Sequence, residues 1–160
     1  DTSASTPSLD FSLSSSQPTV KVMQGKSVTN GVTATLSSGS GSVAFSASGL
    51  PGGATGSFSP TSCSPTCTTT LNISSSSITP IGNSTITVTG TAGATIRTNT
   101  FTLDVNYTGD INNDGTVNSI DWSLMNFKWG TNDNASDLNS DGNVNAVDFS
   151  LLNNNWFRSG

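Results

Sequence analysis

Residues 110–121 read DINNDGTVNSID, and residues 137–148 read DLNSDGNVNAVD. Both stretches have Asp at positions 1, 5 and 12, Asn at positions 3 and 9, Gly at position 6 and Val at position 8. A twelve-residue loop that wraps Ca²⁺ uses side-chain oxygens at positions 1, 3 and 5, a sharp turn at Gly 6, a backbone carbonyl at 7, a ligand at 9 and a carboxylate at 12. The sequence therefore predicts two calcium-binding loops.

The predicted ligands are all oxygen donors, which selects a hard cation, and their number favours Ca²⁺ over Mg²⁺. All ten acidic residues of the chain are Asp, and six of them lie in the two stretches, so the net charge of -5 is explained by a metal requirement. We predict two Ca²⁺ ions, held by Asp110, Asn112, Asp114, Thr116, Asn118 and Asp121 in the first stretch and by Asp137, Asn139, Asp141, Asn143, Asn145 and Asp148 in the second.

After each loop the apolar residues adopt a helical spacing of i, i+3 and i+7. This spacing predicts one amphipathic helix behind each loop. The aromatic residues in it either form a small core between the two helices or provide a stripe that binds a partner. The residues at these positions are Trp122, Met125 and Trp129 in the first copy and Phe149, Leu152 and Trp156 in the second.

The pattern DxNxDGxxNxxDxxL occurs as DINNDGTVNSIDWSL and as DLNSDGNVNAVDFSL, and no entering helix precedes the first copy. Residues 109–158 therefore closely resemble the dockerin family, with two loop-helix repeats of the EF-hand type. The resemblance implies a module that folds on calcium and docks on a cohesin domain through loop positions 10 and 11 and the following helix. Those positions are Ser119, Ile120, Ala146 and Val147. Ile120 and Val147 have an alternative role in packing at the helix starts.

From residue 8 to about residue 107, apolar and polar residues alternate in short runs separated by Gly, Pro and Ser clusters. This period of two predicts about seven strands of a sandwich. The phrases LPGGATGSFSP and TPIGNSTITVTGT resemble the immunoglobulin-like β-sandwich modules of bacterial and archaeal surface proteins, which implies a spacer or adhesion unit. The phenylalanines of this region are expected in the core or in turns, and the alternative is an exposed face that stacks on sugars.

The segment SLDFSLSSSQPTV near the N-terminus has two interpretations. It is either the first strand of its own module or a strand that is donated to the next subunit by β-augmentation.

The composition narrows the function. The five cations are scattered, which excludes a nucleic-acid partner held by a basic patch, and the absence of His removes the commonest general base and most zinc sites. Cys63 and Cys67 lie in SCSPTC, where we expect a local disulfide rather than two buried thiols, and hence an oxidising extracellular setting. No apolar run approaches the roughly 20 residues that span a bilayer. The start DTSASTPS is typical of an exported protein after removal of its signal.

We thus expect a mainly β secreted protein with a small α part: an immunoglobulin-like sandwich at 1–107, then a dockerin-like domain at 108–160. The first hypothesis is a non-catalytic structural subunit of an extracellular assembly, such as a surface filament or layer built from copies of itself, because no catalytic domain is visible. The alternative is a docking module that binds a cohesin-like receptor, with the sandwich as spacer. An enzyme is disfavoured, since no nucleophile-base pair or acid pair free of metal duty is present.

Overall fold

A computed structural model describes residues 8–159 of the chain. Residues 1–7 and 160, which the predicted domain ranges include, lie outside the described residues. The described part is mainly β with two helices, which confirms the coarse fold class. Its elements are β1 Asp10–Ser15, β2 Thr19–Met23, β3 Ser27–Ser38, β4 Val43–Ser48, β5 Thr55–Ser59, β6 Ser62–Cys63, β7 Cys67–Ser74, β8 Gly82–Ala92, β9 Thr95–Asn106, α1 Ser119–Phe127 and α2 Ala146–Asn153.

The strands form two sheets. One has the order β1-β3-β7-β5, and the other has the order β2-β9-β8-β4-β6. Paired strands are antiparallel except for β2 and β9, which run parallel. The alternation in the sequence directs every second side chain to one face, and residues of both sheets meet in one buried core. Leu71 and Ile73 enter that core from the first sheet, and Ile86 and Leu103 enter it from the second.

Two strands, β5 and β6, were not expected from the period of two. β5 lies at an edge of its sheet, and its residues are exposed or half-buried, so no alternation of apolar and polar residues marks it. β6 has two residues. Its second residue, Cys63, forms a disulfide with Cys67, the first residue of β7, and the Cα–Cα distance is 6.2 Å.

β1 pairs with β3 of the same chain, with Phe11 opposite Leu36 and Leu13 opposite Ala34. The Phe11 side chain is buried between the sheets, and Phe101 is buried in the main core. Phe45 and Phe58 stack on each other, with ring centroids 5.7 Å apart, and pack against that core. The structure thus places β1 in its own module. The side chains of Phe11, Phe45, Phe58 and Phe101 all pack in the sandwich.

The C-terminal part follows β9 with a very short connection. A second buried cluster contains Val117, Met125, Leu138, Val144 and Leu152, together with Met23 of β2. Gly109 has φ +102, and a Cβ there would lie 3.0 Å from the Cα of Leu152, so the close approach of α2 to the connection requires glycine. Within residues 8–159, no helix is both long and apolar enough to cross a membrane.

Candidate metal centre and docking face

We call residues 110–121 loop 1 and residues 137–148 loop 2. Each loop begins with a buried aspartate whose carboxylate accepts two backbone N–H bonds from residues further along the loop. Asp110 accepts from Asp114 at 3.0 Å and from Gly115 at 2.9 Å. Asp137 accepts from Asp141 at 3.2 Å and from Gly142 at 2.8 Å. Both glycines have φ +91, a conformation that glycine adopts without steric cost, so position 6 makes the turn expected from the sequence.

The aspartate at position 12 closes each loop and starts the following helix. Asp121 accepts backbone N–H bonds from Ile111, Asn112 and Asn118. Asp148 accepts backbone N–H bonds from Leu138, Asn139 and Asn145. Asn118 and Asn145 cap α1 and α2, so positions 9 and 12 together form a capping box. Folding of the loop and formation of the helix therefore depend on the same side chains.

Positions 3, 5 and 7 form the rim of each loop, and all of them are exposed except Thr116 at position 7 of loop 1, which is half-buried. Asn112 donates its amide to Asp114 at 2.8 Å, and Asn139 donates to Asp141 at 2.8 Å. The position-7 carbonyl oxygens of Thr116 and Asn143 accept from the side-chain amides at position 9. In this arrangement the rim oxygens bind protein donors within their own loop.

In the described part of the chain, no cationic side chain forms an ion pair with a loop carboxylate. Among the described residues, the ion pairs are Lys21–Asp104, Arg97–Asp10 and Lys128–Asp133, and none of them involves a loop carboxylate. Burial raises the pKa of Asp110, N–H bonds from Gly115 and Asp114 oppose this rise, and the charges of Asp121 and Asp114 add to it. Mutual repulsion of buried carboxylates is relieved by a bound cation. The donor set of the loops therefore fits a hard divalent ion.

Carboxylates alone do not complete either site. In the described part of the chain, no three Asp, Glu, His or Cys side chains come together as a group that could hold a metal ion. Each loop instead combines Asp carboxylates with amide and carbonyl oxygens, which are ligands that Ca²⁺ accepts. The twelve residues predicted as ligands thus lie in two matching loops, with positions 1 and 12 buried in each.

The predicted partner-binding residues Ser119, Ile120, Ala146 and Val147 are all exposed at the starts of the two helices. Ile120 is 55% exposed and Val147 is 52% exposed, so neither side chain is packed away at its helix start. Both side chains are thus about half exposed, and their role in docking stays a prediction.

Two further residues extend this surface on α1. Leu124 is 40% exposed and Phe127 is 83% exposed, and they follow Ile120 at i+4 and i+7. We call Ile120, Leu124 and Phe127 the α1 face. The i, i+4, i+7 spacing is present in the sequence, but the i, i+3, i+7 pattern of core residues marks the other side of the helix. The residue of the second repeat that corresponds to Phe127 is the polar Asn154, the C-cap of α2.

The opposite sides of the helices contact each other. Trp122 and Phe149 have ring centroids 4.5 Å apart, and Met125 and Leu152 are fully buried. These residues form the small core that the helical spacing predicted. Trp129 packs edge-on against Trp122 but remains exposed on one side.

One protein family matches the C-terminal part of the chain. Residues 108–155 match the dockerin type I domain. The match supports the dockerin module that the motif predicted and, with it, calcium binding and non-catalytic docking to a cohesin partner, as dockerin modules perform. It covers less than a third of the chain. A search of curated proteins returned no match.

Several solved structures are similar to the chain. Domains 4 and 5 of the S-layer protein SbsC have a TM-score of 0.47 at 17% identity, over 61% of this chain and 53% of that one. Domains 4–9 of the same surface layer protein have a TM-score of 0.47 at 19% identity, and the match covers 64% of this chain and 15% of that one. A family 123 glycoside hydrolase from Clostridium perfringens has a TM-score of 0.46 at 12% identity, and the match covers 63% of this chain and 27% of that one. The chain thus spans about half of the first structure and less of the other two.

Proposed function

We propose that residues 108–160 form a calcium-folded docking module carried by an immunoglobulin-like spacer at residues 1–107. The observation that carries the proposal is the pair of matching loops, in which buried carboxylates without a cationic partner also cap the two helices. Each loop is an EF-hand-type repeat with one Ca²⁺ ion, and the ligands are the twelve residues named from the sequence.

Calcium acts here as a folding ligand. Positions 1 and 12 bring two or more negative charges into a small buried volume, and the uncompensated charge opposes folding of the module. Binding of Ca²⁺ removes this cost and thereby orders the loops and the helices that they cap. The docking surface is therefore available only in the metal-loaded form.

The α1 face provides the contact with the partner. Ile120, Leu124 and Phe127 are exposed on one side of a helix whose other side is packed in the core. Large exposed apolar side chains that project from a rigid helix are typical contact centres of protein interfaces. We infer a cohesin-type receptor with a complementary apolar surface, and we infer that α1 contributes more to binding than α2.

The strand order supports the immunoglobulin-like assignment of the spacer. In such sandwiches strands A, B, E and D form one sheet, and C, F and G form the other. The order β1-β3-β7-β5 corresponds to the first, and β9-β8-β4 corresponds to the second. The disulfide between Cys63 and Cys67 supports an extracellular or cell-surface location, where disulfides persist.

Docking is favoured over self-assembly into a filament or layer. The strand that a donor mechanism would release is already paired with β3, and its Phe11 is buried. The exposed α1 face supports docking on a partner with a complementary apolar surface.

The test is light scattering on the purified chain in millimolar Ca²⁺ and in EGTA, combined with surface binding to a panel of cohesin domains. We expect a monomer in both solutions and one-to-one cohesin binding in calcium only. Calcium-dependent polymers of the chain alone would overturn docking in favour of a self-assembling subunit. Absence of binding to every cohesin in the panel would also count against the proposal.

A further inference from the structure

Lys26 is a buried cation that contacts loop 2. It lies in the turn between β2 and β3 and is 8% exposed. Its Nζ donates to the backbone oxygen of Asp137 and to Ser140 Oγ, the latter at 2.9 Å. Both acceptors are neutral, and none of the ion pairs in the described residues includes Lys26. The ammonium therefore lies on loop 2 without a carboxylate in direct contact.

The position of Lys26 is fixed by its own module. Its N–H donates to the carbonyl of Met23 at 3.1 Å, and its carbonyl accepts from the Ser75 N–H at 2.9 Å and the Ser75 hydroxyl at 2.8 Å. Met23 is itself buried in the C-terminal core. The turn thus holds the ammonium against loop 2 from a rigid support.

Loop 1 differs from loop 2 in its contact with a lysine side chain. The carbonyl of Asp110 accepts from the Asn113 N–H at 3.3 Å, and no ammonium reaches it among the described residues. The nearest equivalent is Lys21, which donates to the Asn113 carbonyl at 2.8 Å, but it is half exposed and lies 3.9 Å from Asp104. The hydrogen bonds to the aspartates at positions 1 and 12 are nevertheless the same in both loops.

Lys26 is therefore not needed to shape its loop, and its distinct contribution is charge. Loop 2 carries Asp137, Asp141 and Asp148, and these are the negative charges that would both compensate a buried ammonium and bind Ca²⁺. A positive charge held beside a calcium loop repels the incoming ion, and the repulsion is weakly screened because the lysine is buried.

We propose that Lys26 is a built-in cation that lowers the calcium affinity of loop 2 below that of loop 1. The two loops then fill in order, loop 1 first. Since linkage is reciprocal, Ca²⁺ in loop 2 weakens the hold of Lys26 on that loop and so loosens the joint between the sandwich and the docking module. This inference rests on the proposed calcium role of both loops.

The experiment uses the full chain labelled with ¹⁵N-glycine and titrated with Ca²⁺. The amides of Gly115 and Gly142 donate to the first aspartate of loop 1 and of loop 2, so each resonance reports one loop separately. In the wild type we expect the Gly115 resonance to respond at a lower Ca²⁺ concentration than the Gly142 resonance. In Lys26→Met, which removes the charge but keeps the length of the side chain, the Gly142 midpoint should fall about tenfold. The Gly115 midpoint should change less than about twofold.

Two variants control for other effects. Lys26→Arg keeps the charge and should leave the Gly142 midpoint near that of the wild type. Lys21→Met removes the exposed lysine near loop 1 and should change both midpoints less than about threefold, because solvent screens that charge. A Gly142 midpoint that is unchanged or higher in Lys26→Met overturns the inference while the calcium loops stand. If neither glycine responds to Ca²⁺ in the wild type, the proposed calcium function itself fails.

Discussion

The sandwich and the C-terminal module both enclose a core, but they bury different kinds of side chain. The sandwich core consists of Val, Leu, Ile and Phe residues from two sheets. The module has a smaller apolar cluster and, beside it, the buried carboxylates of Asp110, Asp121, Asp137 and Asp148. Apolar burial stabilises a fold at any calcium concentration, whereas buried carboxylates stabilise it only when a cation is bound. We therefore expect the sandwich to fold without a metal ion and the C-terminal module to require one.

Removal of calcium should produce the largest effect. In EGTA we expect the module to lose its helical far-UV circular dichroism and its cooperative unfolding, while the sandwich keeps its own thermal transition. The reason is that the free energy of metal binding is folding free energy in small sites. Calorimetry of the full chain with and without EGTA measures both transitions. An unchanged helical signal would remove the distinction between the two halves.

A matched pair of core substitutions should then show that the stability of the sandwich and the calcium-dependent folding of the module are independent. Leu71→Ala in the sandwich should lower its stability by about 3 kcal/mol, since a fully buried leucine leaves a cavity. It should leave the calcium midpoint unchanged. Leu152→Ala in the module should instead raise the calcium concentration needed for folding. Denaturant unfolding and calcium titration of both variants provide the measurements, and a calcium shift in Leu71→Ala would contradict the separation.

Met23→Ala tests the place where the halves meet. Met23 belongs to β2 but is buried with Val117, Met125 and Leu152 of the module. We expect a loss of about 2 kcal/mol in the calcium-loaded module, at the low end for truncation of a buried methionine. Chemical denaturation followed by Trp fluorescence reports this change, because all three Trp residues lie in the module. If only the sandwich were destabilised, the contact across the joint would carry little energy.

The smallest effect on stability should come from the α1 face. Phe127→Ala removes an exposed ring and should change the free energy of unfolding by less than about 0.5 kcal/mol. It should nevertheless weaken cohesin binding by more than tenfold, as expected for a central aromatic contact. Asn154→Ala, at the matching position of α2, is the control and should bind like the wild type. Equal effects of both variants would show that the two helices contribute alike.

Much of the C-terminal module could be predicted from the sequence because its loops and helices are specified by residues close together in the chain. The ligand spacing lies within twelve consecutive residues, and the helix periodicity follows directly behind it. The i, i+3, i+7 pattern identifies only the buried side of α1, so it does not predict that Phe127 is part of an exposed face. In the sequence, an exposed aromatic residue cannot be distinguished from a buried one. Strands β5 and β6 were missed because exposed and very short strands carry no apolar alternation.

The two loops, the helix behind each of them and the mainly β character of the first hundred residues can be predicted from the sequence alone. These features depend on backbone preferences and on side chains close together in the chain. Two other features are visible only in the folded chain: Met23 is buried in the core of the module, and Lys26 contacts Asp137, which is 111 residues further along the chain. Such contacts follow from how the sheets pack and how the connection at Gly109 turns, and no local pattern of residues encodes them.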